Sequence, residues 1–354
     1  MEMAAPLYWL ISSLWTLLAI ASQFHTYHIP SAVSNHSSTA QFTSAASGLD
    51  APKIHPVNSS AFDWWYFDVV ASDPNSLASV VAIFYTTTAN AFPFFPPSDS
   101  VTFVQITGTF ENGTTFGTIV NADGATVRSD DNASSGDWHN SGFSWTHTRD
   151  SAYTIVIDAP DIGRICGPSI GWANAVPDAV ATVQLTVGGA DLAFEGLGYH
   201  DKNWSDQIFT ANLKSWYWGH GRLGTYSIVW FDFLALDGAE YVSAYASEHG
   251  KIIAASCVPT SIQVRPTGAN STYPPVRSTG NPSGYHITLD LSEAGKLEMD
   301  VSVTGIAMDN VLSEYTRAVG NITGTVVAVG GHNNRHAEAV LEGKALFEQF
   351  KMTD

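Results

Sequence analysis

The sequence predicts an all-β chain, a β-sandwich or β-barrel. Three observations point there. Aromatic residues make up 12% of the 354 residues, in company with abundant Thr, Ser, Val and Gly. That mix suits strands and turns better than helices. Short runs of β-branched and aromatic residues alternate with Gly, Asn and Asp turns. Helical periodicity is nearly absent, and only 313–319 and the C-terminal end look helical. At this length two domains fit, and a single large β domain is the alternative.

Taken in order, the chain opens on a mostly apolar segment, residues 4–21, ending in an Ala-x-Ala-like pattern at Ala19 and Ala21. Residues 1–21 therefore read as a cleaved signal peptide, which places the protein in the secretory pathway. A retained membrane anchor is the alternative, because Met1-Glu2-Met3 lacks Lys and Arg, although Ser12, Ser13 and Thr16 make a poor span. Residues 22–55 show little periodicity and read as a linker or surface arm, with order beginning near Ala61. Residues 62–70 read as a strand. Period 2 puts Trp64, Tyr66 and Asp68 on one face and Asp63, Trp65 and Phe67 on the other. With aromatics on both faces, the strand is buried on both sides or carries a ligand on one. Residues 79–87 are its expected partner. Residues 91–97 contain three prolines, which lack backbone donors, so they form an apolar loop and a candidate lid.

Hairpin signals follow at Glu111-Asn112-Gly113 and Gly188-Gly189-Ala190. Residues 143–147 are expected to pair with 153–157. Beyond the middle of the chain, strands are expected at 226–236, 241–246, 252–256, 261–265, 286–291, 296–303, 321–329 and 337–350. Residues 267–283 are a Pro/Gly/Ser-rich loop. The expected division is an N-terminal β domain over 56–212 and a C-terminal one over 213–354.

Lys plus Arg is 15 and Asp plus Glu is 33, a formal net charge of −18. That sign disfavours nucleic acid and anionic membrane surfaces. Asn35, Asn58, Asn112, Asn132, Asn270 and Asn321 head sequons and are glycosylation candidates. Asn203 also heads one but sits in a polar-aromatic cluster, where a glycan would block a pocket, so it is expected bare. Cys166 and Cys257 either pair in an oxidising compartment or stay as two buried thiols.

The chemistry concentrates between Gly196 and Arg222, where tryptophans, tyrosines, histidines and polar side chains crowd together. Such a cluster suggests a pocket that stacks an apolar ligand and orients it with a few hydrogen bonds. If 216–222 is a strand, Trp216, Trp218, His220 and Arg222 share a face. His220 can transfer a proton near neutral pH, and Arg222 can hold a carbonyl or enolate oxygen. Asp63, Asp68, Asp201 and Asp232 are carboxylates among apolar neighbours, each needing a partner or a raised pKa if buried. They serve equally well as structural bonds at a domain junction. Gly167-Pro168-Ser169-Ile170-Gly171 matches Gly-x-Ser-x-Gly, but Pro168 and the want of a following helix make it a turn. His200, Asp201 and His220 lack metal-ligand spacing, and no dinucleotide fingerprint occurs, so neither metal nor cofactor is expected.

Phe62-Asp63-Trp64-Trp65-Tyr66-Phe67-Asp68, Gly198-Tyr199-His200-Asp201-Lys202-Asn203-Trp204, Trp216-Tyr217-Trp218-Gly219-His220 and Tyr226-Ser227-Ile228-Val229-Trp230-Phe231-Asp232 together resemble the signature blocks of the fungal Diels–Alderase family. That family belongs to the wider carotenoid-hydratase and AttH-like group. Residues 342–350 are similar to the family's ending. Ser205 departs from the pattern, since the family more often has Gly after Asn-Trp. The resemblance implies two lipocalin-like β domains with a pocket between or within them. It also implies a cofactor-free [4+2] cyclase of fungal secondary metabolism, acting on an apolar polyene, polyketide or terpenoid. Such an enzyme holds diene and dienophile in a near-attack geometry and hydrogen-bonds a conjugated carbonyl. One branch joins a tropolone quinone methide to a sesquiterpene by a hetero-Diels–Alder reaction, where loss of water gives an acid–base pair a role. On this basis His200, Asp201, His220 and Arg222 are the expected catalytic groups. Trp65, Tyr66, Asp68, Tyr85, Asn203, Trp204, Trp216, Trp218, Phe231 and Asp232 are the expected substrate contacts. A hydratase of an isoprenoid double bond and a non-catalytic lipocalin-like carrier are the alternatives.

Overall fold

The fold comes from a computed structural model, which describes residues 25–42, 48–130, 133–147, 170–187, 189–310, 314–328 and 340–354. The leader segment, Asn132, residues 153–157, Cys166 and Ser169 lie outside the described residues. Cys257 is disulfide-bonded. No helix among the described residues is long and apolar enough to cross a membrane.

The described elements are twenty-one strands and three single 3-10 turns. The first ten strands are β1 (His25–Pro30), β2 (Thr39–Ala40), β3 (Ile54–His55), β4 (Phe62–Ala71), β5 (Ser79–Thr87), β6 (Thr102–Thr109), β7 (Thr115–Asn121), β8 (Gly124–Ser129), β9 (Ser134–Trp138) and β10 (Phe143–His147). They are followed by β11 (Gly171–Val187), β12 (Ala190–Ser205), β13 (Leu213–Leu223), β14 (Tyr226–Ala235), β15 (Glu240–Glu248) and β16 (Lys251–Ser256). The last are β17 (Ile262–Thr267), β18 (Gly284–Asp290), β19 (Lys296–Asp309), β20 (Tyr315–Val327) and β21 (Leu341–Lys351). They form a four-stranded sheet β1-β8-β9-β10, a six-stranded sheet β11-β12-β4-β5-β6-β7 and a nine-stranded sheet β16-β15-β14-β13-β21-β20-β19-β18-β17, with β2 and β3 paired alone.

Alternation along β4 sets the layers. Trp65 and Phe84 of the six-stranded sheet pack with Trp138 and Trp145 of the four-stranded one. Phe62, Trp64 and Tyr66 point the other way, into a core shared with Trp216, Trp218 and Phe350 of the nine-stranded sheet. The six-stranded sheet is thus a middle layer with both faces buried, which explains its aromatics on both sides. In β13 the alternation repeats: Trp216 and Trp218 face the middle layer, and Tyr217 faces the core that the nine strands wrap around. Gly219 is needed there, because a Cβ would lie 2.3 Å from the Trp230 ring. The expected all-β, lipocalin-like architecture is therefore found. The nine-stranded order ends at β16 and β17 without closing among the described strands.

Three expectations change. Residues 22–55 are more than an arm, since β1 pairs with β8 and order begins well before Ala61. Residues 314–319, read as helical, are strand, because β20 is held between β19 and β21. β10 pairs with β9. The hairpin around Gly189 is far longer than expected, so residues 196–205 continue β12 and 213–223 form β13. The central stretch therefore supplies one strand to each of two sheets.

The segment before β4 is tied in by Asp50. Its Oδ1 lies 2.9 Å from His200 Nε2, its Oδ2 accepts the Ser134 hydroxyl, and its carbonyl accepts Trp65 Nε1–H at 2.9 Å. Burial alone would raise the carboxyl, but the His200 charge and the hydrogen bonds overcome it and hold Asp50 at about 2. A depressed folded value stabilises the fold above the ordinary carboxylate range and is lost as pH falls towards about 2. Asp50→Asn is therefore expected to remove about 2 kcal/mol of the stability that the native protein loses between pH ~4 and ~2. Urea unfolding across that window checks it, and an unchanged acid limb would count against the tie.

Candidate active site

A cavity lies between the middle layer and the outer face of the nine-stranded sheet. Ten of its seventeen lining side chains are aromatic. Trp64 and Tyr66 of β4 and Tyr85 of β5 form one wall, and Trp216 and Trp218 of β13 with Tyr315 and Phe350 form the other. The proline-rich loop after β5 contributes Phe92, Phe94 and Phe95, as expected of a lid. Its Phe92 and Phe94 pack edge-on against Phe209, and Phe94 also meets Phe350, so the loop bridges the two sheets.

Few polar groups reach this cavity. Asp201 of β12 is 3% exposed. Its Oδ2 accepts Trp172 Nε1–H at 2.7 Å and Tyr199 Oη–H at 3.0 Å, and its Oδ1 accepts Asn203 Nδ2–H at 2.9 Å. Burial pushes the carboxyl well above the usual range, and the charges of Glu348 and Asp68 push the same way. The Trp172 and Tyr199 bonds offset only part of this. Asp201 is therefore a carboxyl group on an aromatic wall whose protonated form burial favours. Across from it Arg317 Nε donates to Glu348 Oε1 at 2.7 Å, Tyr315 Oη donates to the same oxygen at 2.7 Å, and Arg317 Nη1 donates to Thr107 Oγ1 at 2.8 Å. This ion pair neutralises itself. Tyr66 Oη, Asn203 Oδ1 and Trp216 Nε1 are buried with no partner among the described residues, and all three residues line the cavity. Such atoms are costly unless a ligand or water meets them.

The structure brings together Asp201, Tyr66, Tyr85, Asn203, Trp216 and Trp218 of the expected set. It sends the others elsewhere. His200 lies on the opposite face of β12, stacked on Phe67 at 3.9 Å with its Nδ1 donating to the Tyr66 carbonyl at 2.8 Å. Trp65 shares that face, with Lys202 Nζ 3.3 Å above its ring. Lys202 also pairs with Asp63 at 2.7 Å, and burial brings the amine down to about 8. Trp204 packs with Ile54, Ala61 and Ala173. His220 stands behind the wall, 2.8 Å from Asp68 Oδ1 and stacked on Tyr199 at 4.7 Å. Asp68 and His220 are thus a buried junction pair with no place on the lining. Arg222 is half-exposed and holds Asp178 through Nη2 at 2.7 and 2.8 Å, off the cavity lining. Phe231 backs Trp172 and Trp216 without lining the cavity. Asp232 faces the other way, accepting Val264 N–H at 3.0 Å and Arg265 Nη1 at 3.1 Å. Asn203 is 3% exposed and engaged with Asp201, an environment that excludes a glycan.

Sequence reasoning missed Arg317, Glu348, Tyr315, Gln105 and Trp172. Glu348 sits in the C-terminal block that carries the resemblance, which was a usable signal. Arg317 fell in the stretch read as helical. Among the described residues no cluster of His, Cys, Asp and Glu could hold a metal ion.

Known proteins resemble this chain in sequence and in fold. A family model described as Diels-Alderase-like matches residues 27–165 and 162–352. The chain is 34% identical to the quinolone epoxide rearrangement protein penF of Penicillium thymicola, over 91% of this chain and 94% of that protein. It is 33% identical to the quinolone epoxide rearrangement protein asqO of Emericella nidulans, over 98% and 99%. A crystal structure of CghA with Sch210972 superposes with a TM-score of 0.70 over 93% of this chain and 99% of that one. At 14% identity that likeness concerns the fold alone.

Proposed function

The chain belongs to the Diels-Alderase-like family, and from that premise we propose that it is a ring-forming or skeletal-rearrangement enzyme of small-molecule secondary metabolism that works with its own side chains. The observation that carries this reading is a buried carboxyl, Asp201, whose surroundings favour its protonated form, set into an aromatic cavity whose remaining charges cancel. Its relatives penF and asqO suggest a quinolone epoxide or a similar flat, strained substrate. Asp201 gives its proton to the epoxide oxygen. The C–O bond breaks with its electron pair staying on oxygen, which becomes a hydroxyl, and a carbocation remains on carbon. The faces of Trp64, Trp216 and Trp218 stabilise that cation, each by up to ~2 kcal/mol once water is excluded. A neighbouring double bond or hydroxyl captures it, and the proton lost from the product returns to Asp201. Asn203 Oδ1, beside the acid, receives an N–H or O–H adjacent to the reacting oxygen.

The second reading is the [4+2] cycloaddition, in its carbocyclic or hetero form. It is favoured by the two facing aromatic walls, which can stack a diene over a dienophile. Asp201 then hydrogen-bonds the conjugated carbonyl or helps a leaving hydroxyl depart as water. Pure protein incubated with a racemic quinolone epoxide, and separately with a linear polyene bearing a conjugated carbonyl, tests both. Enantioenriched rearranged product from the first supports acid catalysis, and a single cycloadduct stereoisomer from the second supports [4+2] chemistry. Solvent oxygen in the product would mean hydration. Ligand bound but recovered unchanged, or the same mixture as in buffer, would sink the catalytic reading.

A further inference from the structure

The two oxygens of Asp201 are not equivalent. Oδ2 takes two donors, the Trp172 indole at 2.7 Å and the Tyr199 hydroxyl at 3.0 Å, and Oδ1 takes one, the Asn203 amide. A protonated carboxyl has one carbonyl oxygen with two free lone pairs and one hydroxyl oxygen. An oxygen already accepting two bonds has no lone pair left for a proton. We propose that Trp172 and Tyr199 are positioning residues that hold Oδ2 as the carbonyl and so place the transferable proton on Oδ1, the oxygen shared with cavity-lining Asn203.

Placing the proton on Oδ2 instead would strand a buried indole or phenol donor, a penalty that favours Oδ1 by about tenfold or more. Trp172 is 2% exposed and takes no part in lining the cavity, so it acts only through Asp201. Its ring leans on Phe231 at 5.1 Å, and Trp172→Phe keeps much of that packing while deleting the donor. Tyr199→Phe deletes the other donor. Around Asp201 the charged and titratable groups are Glu348 on β21 with Arg317 on β20, Asp68 on β4 with His220 on β13, and the phenols of Tyr66 and Tyr199. Apart from Tyr199 itself, neither substitution alters any of them.

This inference rests on Asp201 being the acid proposed above, and it is tested without substrate. Infrared difference spectra between the native protein and Asp201→Asn isolate the carboxyl C=O band at neutral pH. In Trp172→Phe that band is expected to move to higher wavenumber, because a hydrogen bond to the carbonyl oxygen is gone. Its titration midpoint is expected to rise by about one pH unit, since the lost bond had favoured the carboxylate. Tyr199→Phe should do the same and serves as the test if Trp172→Phe fails to fold. An unshifted band and midpoint in the folded variant, or no neutral carboxyl band in the native protein, overturns the proposal. On a quinolone epoxide, Trp172→Phe should lower kcat with KM nearly unchanged. A shifted band without turnover would reject the reaction and keep the proton placement; turnover with an unshifted band would do the reverse.

Discussion

Asp201→Asn is expected to lower turnover by about 10²- to 10⁴-fold, the usual worth of a positioned acid, and to leave the fold intact. The amide is isosteric. Its oxygen can take over the Trp172 and Tyr199 bonds, and Asn203, whose Oδ1 has no partner among the described residues, can rotate to receive the new N–H. The thermal midpoint should therefore stay within a few degrees. The pH dependence carries a definite sign. Burial raises the Asp201 carboxyl, so the active protonated form persists above the usual carboxylate range, and kcat falls as pH rises through the elevated folded value. The folded chain also holds that proton more tightly than the unfolded chain. Asp201's contribution to stability is therefore full below the unfolded carboxylate value and is lost as pH rises towards the folded one. Asp201→Asn should flatten that slope in urea unfolding. Retained turnover in the folded variant, with an unchanged pH–rate profile, would remove Asp201 from the chemistry.

How far the sequence reveals this site is limited by the pleat. Neighbouring residues on a strand point to opposite faces, so His200 and Asp201 cannot both face the cavity, nor can Trp65 and Tyr66 or Asn203 and Trp204. Strand alternation alone rules out a single face carrying all six. What the sequence could not supply was the sign, that is, which face meets the second sheet. Both faces of β4 are equally aromatic because the sheet is buried on both sides. The strands themselves were largely readable, since hairpin turns and period-2 runs are local signals. Asp50 and Arg317 were not readable, for the opposite reason. Asp50 meets His200 across 150 residues, and Arg317 meets Thr107 across 210. No local pattern announces a partner at such distances. Asp68 with His220 was half readable: both lay on the anticipated faces, but Asp68 Oδ1 bonds His220 behind the aromatic wall, off the cavity lining.

Arg317→Met is expected to cost about 3–5 kcal/mol of stability, the largest single loss in the cavity region. Arg317 is 1% exposed and Glu348 7%. Removing the guanidinium leaves the Glu348 carboxylate buried with the Tyr315 hydroxyl as its remaining partner here, and leaves Thr107 without its bond from β20. The loss comes mainly from the stranded charge, so the double variant Arg317→Met with Glu348→Gln should recover most of it. Urea unfolding of the two single variants and the double variant measures the coupling, and additive losses would contradict it. The same pair bears on the chemistry through charge. Glu348 is one of the causes that raise Asp201. Neutralising it in Glu348→Gln should move the alkaline limb of kcat to lower pH, whereas Arg317→Met, which uncovers its charge, should move that limb to higher pH. General loosening of the structure cannot produce opposite shifts from two substitutions at one ion pair. Finding them would place Asp201, Glu348 and Arg317 in one electrostatic unit facing the substrate.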